Sequence, residues 1–184
     1  MNWVPWMATV PGFSLSADNE LQYHEILVPT IESVRSSYLL ELLVNHGKHV
    51  LISGPTATGK TVNIRNVLSN KVDRAKYSPV MMNFSNKTKV NPTQDALDFR
   101  LVKRGPDAYG PAMGKQMITF IDDINTPGFD RYGAQQPIEL LRQYLDFGGW
   151  YDRKTNVFKN ITGMQIVGAL QGKCMQKHFI LRSR

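Results

Sequence analysis

Cysteine is almost missing from this chain of 184 residues. Cys174 stands alone, so no internal disulfide can form, and a reducing compartment is the simpler home. No apolar run approaches the roughly 20 residues of a membrane-spanning helix. The N-terminus "MNWVPWMATVPGF" has no basic leader ahead of an apolar stretch, so no secretory signal is expected. The chain is expected to be soluble and intracellular, without a membrane partner. Metal-ligand spacing is lacking too: His46 and His49 flank Gly47 with no Cys or carboxylate close by, and His24 and His178 lie far off. Acidic residues are absent from 153–184, which carry seven basic ones, while residues 1–152 hold fifteen of each sign. The net charge of +7 therefore sits at one end of the chain. A nucleic-acid-binding face would put its basic cluster on the folded body, so a solvated basic tail is expected and no nucleic-acid partner.

What is present is an alternation of short apolar runs and amphipathic stretches. "TIESVRSSYLLELLVNHGK" predicts a helix capped by Thr30, with Ile31, Val34, Tyr38, Leu39 and Leu42 at helical spacing and Gly47 as its stop. "HVLIS" (49–53) is a continuous apolar run, as in a buried parallel strand. "TVNIRNVLSN" predicts a helix, "PVMMNFS" (79–85) a second strand, and "NPTQDALDFRLVKR" a helix capped by Asn91 or Thr93. "YGPAMGK" predicts a turn-rich connector and "QMITFIDD" a third strand ending in two carboxylates. "AQQPIELLRQYLDF" predicts a helix stopped at Gly148, "WYDRKTNVFKN" a short hairpin, and "GMQIVGAL" a fourth strand. Strands alternating with helices imply an α/β fold with a parallel sheet flanked by helices.

"GPTATGKT" satisfies the G-x-x-x-x-G-K-[ST] pattern of a phosphate-binding loop, between a predicted strand and a predicted helix. Successive backbone N–H groups at a helix start can hold phosphates. The candidate nucleotide-binding residues are therefore Gly54, Pro55, Thr56, Ala57, Thr58, Gly59, Lys60 and Thr61. Lys60 would reach the β- and γ-phosphates, and the Thr61 hydroxyl would ligate Mg²⁺. The strand "MITFIDD" supplies the acid that completes the shell: Asp122 as magnesium partner, with Asp123 beside it. The cofactors expected are ATP or ADP and Mg²⁺.

With "NFSNKT", "YGPAMGK", "FIDDINTPGFDRYGAQQPIELLRQ" and "GGWYD" in that order and spacing, the chain resembles a dynein heavy chain over roughly residues 23–169. It is most similar to the third AAA+ module of the motor ring in its axonemal form. The resemblance implies a P-loop NTPase fold of AAA+ type and an ATP-binding regulatory module in a microtubule-based ciliary motor. It places Leu27, Val28 and Pro29 at the adenine, Asp123 as the catalytic base that polarises the attacking water, and Gln171 near the γ-phosphate. It implies neighbouring AAA+ modules of the same heavy chain as partners. Dynein intermediate and light chains and microtubules would be reached through the full-length parent. The expected location is the cytoplasm and cytoskeleton, in the ciliary axoneme.

Three departures from the family pattern bear on activity. Ala57 stands where the family usually has glycine, and a left-handed alanine costs on the order of 1 kcal/mol. Asp123 stands where strong AAA+ hydrolases have glutamate, one methylene longer, and a misplaced base loses rate. Weak or no hydrolysis by the isolated chain is therefore expected. After "IVGAL" the text diverges to "QGKCMQKHFILRSR". The expected division is an extended lead-in (1–29), an incomplete large subdomain (30–170) truncated before the family's fifth strand and helical lid, and a divergent basic tail (171–184). Two other readings stay open at this point: a nucleic-acid remodelling AAA+ ATPase, and a non-functional truncated product.

Overall fold

In the computed structural model, residues 4–12 and 26–172 are described. Four parallel strands make the main sheet: β1 (Val50–Gly54), β2 (Tyr77–Asn83), β5 (Gln116–Asp122) and β8 (Met164–Gln171). Their spatial order is β1-β8-β5-β2. The helices are α1 (Ile31–Asn45), α2 (Lys60–Asn66), α3 (Val90–Asp98) and α4 (Gln136–Phe147). A second sheet of short strands, ordered β3-β4-β7-β6, comprises β3 (Val102–Lys103), β4 (Ala108–Gly110), β6 (Gly149–Tyr151) and β7 (Phe158–Ile161).

The period-2 alternation of β5 and β8 divides the core into two layers. Met117, Ile121, Ile166 and Leu170 face Leu97 of α3, Leu140, Leu141 and Tyr144 of α4, and the fully buried Trp150. Ile118, Phe120, Val167 and Ala169 face Leu40 and Val44 of α1 and Ile64, Val67 and Leu68 around α2. The central strands are buried on both faces, as a parallel sheet between helix layers requires.

The predicted four strands and the cap of α1 are found. Thr30 accepts the Ser33 N–H at 3.2 Å while Ser33 Oγ accepts the Thr30 N–H at 2.8 Å, a reciprocal cap. Several local expectations are corrected. The inward face of α1 is Ser37, Leu40 and Val44, whereas Ile31, Tyr38, Leu39 and Leu42 are exposed. Apolar residues surround this helix, so spacing alone does not select a stripe. Neither Asn91 nor Thr93 caps α3. Both lie inside it, and the Thr93 hydroxyl donates to the Lys89 carbonyl at 2.9 Å. The helix also ends at Asp98 rather than running to Arg104, because Val102–Lys103 pairs antiparallel with Tyr109–Gly110. Part of the "YGPAMGK" connector is therefore strand. Beyond Asn66 the predicted second helix continues as one π-turn, Val67–Lys71, with the Val72 N–H donating to the Val67 carbonyl at 3.1 Å.

The edges of the main sheet differ. In β2 the alternate residues Tyr77 and Pro79 turn their backbone nitrogens away from β5, as the bonds Gln116 N–H to Lys76 O and Phe84 N–H to Asp122 O fix. Pro79 has no N–H to offer, and the Tyr77 N–H is used by the Asp73 carbonyl at 2.9 Å. On the other side, β1 pairs only with β8 among the described residues.

Candidate functional site

The Gly54–Thr61 loop leaves the C-terminal end of β1 and turns directly into α2. Gly59 is the N-cap at φ +76°, a left-handed backbone that glycine adopts without strain. Ala57 has φ +63°, a left-handed conformation that favours glycine. Among the described residues, no backbone–backbone hydrogen bond uses the N–H groups of Thr56, Ala57, Thr58 or Gly59. A row of free donors ahead of a helix start is a donor set suited to an anion. The Lys60 ammonium lies across the same loop, donating to Gly54 O at 2.8 Å, Pro55 O at 2.5 Å and Thr58 Oγ1 at 3.3 Å.

Two side chains 61 residues apart meet at the loop's inner rim. Thr61 Oγ1 donates to Asp122 Oδ1 at 3.0 Å, and the same carboxylate oxygen accepts the Asp123 N–H at 3.1 Å. Asp122 is buried and Asp123 half-buried. A hydroxyl and a carboxylate are hard oxygen donors, the type Mg²⁺ takes, and it typically uses one or two carboxylates and keeps several waters. The residues present therefore fit a magnesium–nucleotide: Thr61 and Asp122 toward the metal, the loop N–H groups and Lys60 toward phosphates.

Asp123 has φ +50°, left-handed and unusual for a non-glycine residue. Its carbonyl accepts the Thr126 N–H at 3.0 Å, closing a tight turn directly after β5. Gln171, at the end of β8, is in register with Gly54, the first loop residue. Leu27 and Val28 are exposed and Pro29 half-buried, on the extended segment that leads into α1. The rest of the divergent tail, with Cys174, lies outside the described residues.

A profile of the family described as "P-loop containing dynein motor region" matches residues 15–182. The chain belongs to the dynein motor-region family. Among the curated relatives of this dynein motor-region chain, dynein axonemal heavy chain 1 of Homo sapiens is 44% identical over 169 residues, 91% of this chain and 4% of that relative. Dynein axonemal heavy chain 12 of Rattus norvegicus is 38% identical over 168 residues, 91% of this chain and 5% of its own length. Dynein axonemal heavy chain 6 of Homo sapiens is 40% identical over 165 residues, 90% of this chain and 4% of its own. The chain thus spans about a twentieth of the length of these relatives. The α/β architecture expected of an AAA+ P-loop protein agrees with the four-stranded parallel sheet and its flanking helices.

Sequence reasoning passed over Asn125 and Gln135, which hold the turn after Asp123. Gln135 Nε2 donates to Asn125 O at 3.1 Å and Pro127 O at 2.6 Å. The available signal was a glutamine at the N-cap of α4, where Ser, Thr, Asp or Asn is the usual choice.

Proposed function

We propose that this chain is the nucleotide-binding core of the third AAA+ module of an axonemal dynein heavy chain. In this reading it is a regulatory Mg-ATP site in a ring whose parent drives microtubule-based ciliary motion. The observation that carries the nucleotide reading is the 3.0 Å contact between Thr61 and Asp122 at the rim of a loop of free N–H donors. Gly54–Thr61 hold the phosphates, with Lys60 neutralising the outer ones and the Lys60–Asn66 helix start facing them. Thr61 and Asp122 would hold the metal, which would supply charge neutralisation for the phosphates when bound. Val28 and Pro29, with Leu27, border the adenine.

Asp123 is the general base, and its turnover is weak. Its carboxylate is one methylene shorter than the glutamate of strong hydrolases. An arginine that neutralises transition-state charge would come from a neighbouring module, a contribution worth several orders of magnitude in phosphoryl transfer. Neighbouring modules of the same heavy chain, intermediate and light chains and microtubules are partners of the parent, located in the ciliary axoneme. The division into a lead-in (1–29), an incomplete large subdomain (30–170) and a basic tail (171–184) belongs to the same proposal.

Calorimetry with MgADP and Mg-ATP tests the site. Wild type binds, and Lys60→Ala abolishes or strongly weakens binding; equal affinity in the two proteins refutes the assignment. The regulatory role is tested in the parent heavy chain carrying the same substitution. Microtubule gliding that slows but persists supports a regulatory module, whereas complete loss of nucleotide-driven motion would mark this as the principal hydrolytic module. The nucleic-acid reading rests on the net charge of +7 alone, and residues 1–152 balance fifteen basic against fifteen acidic side chains, so the excess is confined to residues 153–184.

A further inference from the structure

The turn that follows Asp122 is held from three sides. The Gln135 amide donates one hydrogen bond to Asn125 O at 3.1 Å and one to Pro127 O at 2.6 Å. The Asn125 side chain accepts the Gln171 N–H at 3.5 Å. The Gly128 N–H donates to Asn86 O at 3.2 Å, and a Cβ on Gly128 would stand 2.7 Å from Asn86 Oδ1, so the turn lies tight against the segment after β2.

Within this turn Asp123 keeps a left-handed backbone. Such a conformation is strained and persists only where the surroundings over-determine it. Gln135 supplies part of that determination at the expense of another use. It is the N-cap residue of α4, yet its side chain makes no cap bond and reaches back to the two carbonyls. Both donors of its NH2 group are used, and the two carbonyls lie two and four residues past Asp123. Asn125 then joins the same clamp to the end of β8, where Gln171 stands beside Gly54.

We infer that Gln135 is a positioning residue for the γ-phosphate side of this site, acting through the Asn125 backbone on Asp123 and through the Asn125 side chain on Gln171. The inference rests on the nucleotide-site reading above. A clamp that only stabilised the loop would affect ADP and ATP binding alike. In the nucleotide-site reading Asp123 and Gln171 serve the third phosphate, which ADP lacks, so a clamp that positions them affects ATP binding and leaves ADP binding alone.

The experiment measures calorimetric affinity for MgADP and for Mg-ATPγS in wild type, Gln135→Leu and Asn125→Ala. Gln135→Leu keeps the side chain's bulk and removes both donors. Asn125→Ala leaves the carbonyl clamped but cuts the link to Gln171. The expected result is an unchanged MgADP affinity in both variants, with Mg-ATPγS weakened about tenfold, equivalent to about 1.4 kcal/mol. Equal weakening of both ligands, or no change in either, in whichever variants remain folded by circular dichroism, overturns the positioning role. A wild type that binds neither ligand refutes the nucleotide site itself, and this inference with it. If Gln135→Leu does not fold, Asn125→Ala alone decides: loss confined to Mg-ATPγS supports the relay, and any other pattern overturns it.

Discussion

The Lys159 ammonium lies 3.0 Å from the Asp98 carboxylate, 61 residues away, and so ties the β6–β7 hairpin to the last turn of α3. It also reaches Asp152 at 2.7 Å, and the other Asp98 oxygen accepts the buried Trp150 indole N–H at 3.0 Å. Burial alone would lower the ammonium's pKa, but the bonds to Asp152 and Asp98 outweigh it and raise the value. The Lys159 hydrogen bond, followed by the N–H groups of Lys154 and Thr155, holds the Asp152 carboxyl well below its usual range. Lys159→Met leaves two carboxylates facing each other without their cation. We expect a loss of about 2 kcal/mol at neutral pH and a fall in Tm of roughly 4–8 °C, read by thermal melting. Because the folded carboxyl is depressed, its contribution is present above the ordinary carboxylate value and disappears as pH falls through the folded one. The gap between wild type and variant should therefore narrow in acid. An equal gap at pH 7 and below pH ~3 would contradict this.

His49 gives a second pH dependence. Its Nδ1 accepts the Ile166 N–H at 3.0 Å, and burial lowers its pKa. Its ring meets Tyr144 edge to face, at 6.0 Å between centroids. The Tyr144 hydroxyl donates to the Met164 carbonyl, and its pKa is raised to about 12, chiefly by burial. The unfolded imidazole takes a proton near pH ~6.5 that the folded one resists. Stability is thus full above that value and falls as pH drops below it. His49→Asn can keep an acceptor for Ile166 without that titration. Denaturant melts at pH 7.5 and pH 5.5 should show wild type losing more stability than the variant, on the order of 1 kcal/mol. Identical losses would remove His49 as the cause.

At Ala57 the strain is local and reversible by substitution. Ala57→Gly relieves the left-handed backbone at φ +63° at the cost of extra freedom in the unfolded chain. We expect a net gain of up to about 1 kcal/mol, shared between stability and nucleotide affinity. Melting and calorimetry with MgADP read the two shares. A loss in both would show that the alanine side chain makes a favourable contact worth more than the strain.

For turnover, the purified chain should hydrolyse Mg-ATP far below ~1 s⁻¹, the lower end of typical enzyme rates. On the proposed role of Asp123 as general base, Asp123→Glu should raise the residual rate and Asp123→Asn should lower it. A phosphate-release assay decides. Turnover of ~1 s⁻¹ or more in wild type, lost in Asp123→Asn, would show that the aspartate needs no help from a neighbouring module.

Much of the fold was readable because two long strands carry nearly continuous apolar runs, interrupted in β5 only by Thr119, and sit in the centre of the sheet. "MITFI" and "IVGAL" could be little else beside a glycine-rich loop of this spacing. The Thr61–Asp122 meeting was readable for the same reason, since parallel strands bring their C-terminal ends to one rim. Strands β3 and β4 were not, because runs of two and three residues carry no periodicity. The start of α3 was obscured by local competition. The Thr88 hydroxyl, a natural cap, accepts the Ser85 N–H at 2.8 Å instead. The clamp from Gln135 was invisible because it joins a side chain to carbonyls, and carbonyls leave no mark in a sequence.

The unequal edges of the main sheet make it directional. At β2, the proline and the occupied Tyr77 N–H deny an incoming strand two successive donors. At β1 the run "VLIS" carries no proline, and every residue has an N–H. Among the described residues, β1 therefore keeps its outward donors beside the phosphate loop, whereas two of those at the β2 edge are missing or used. The sheet has a polarity of donors, and its donor-rich edge is the one that carries the candidate site.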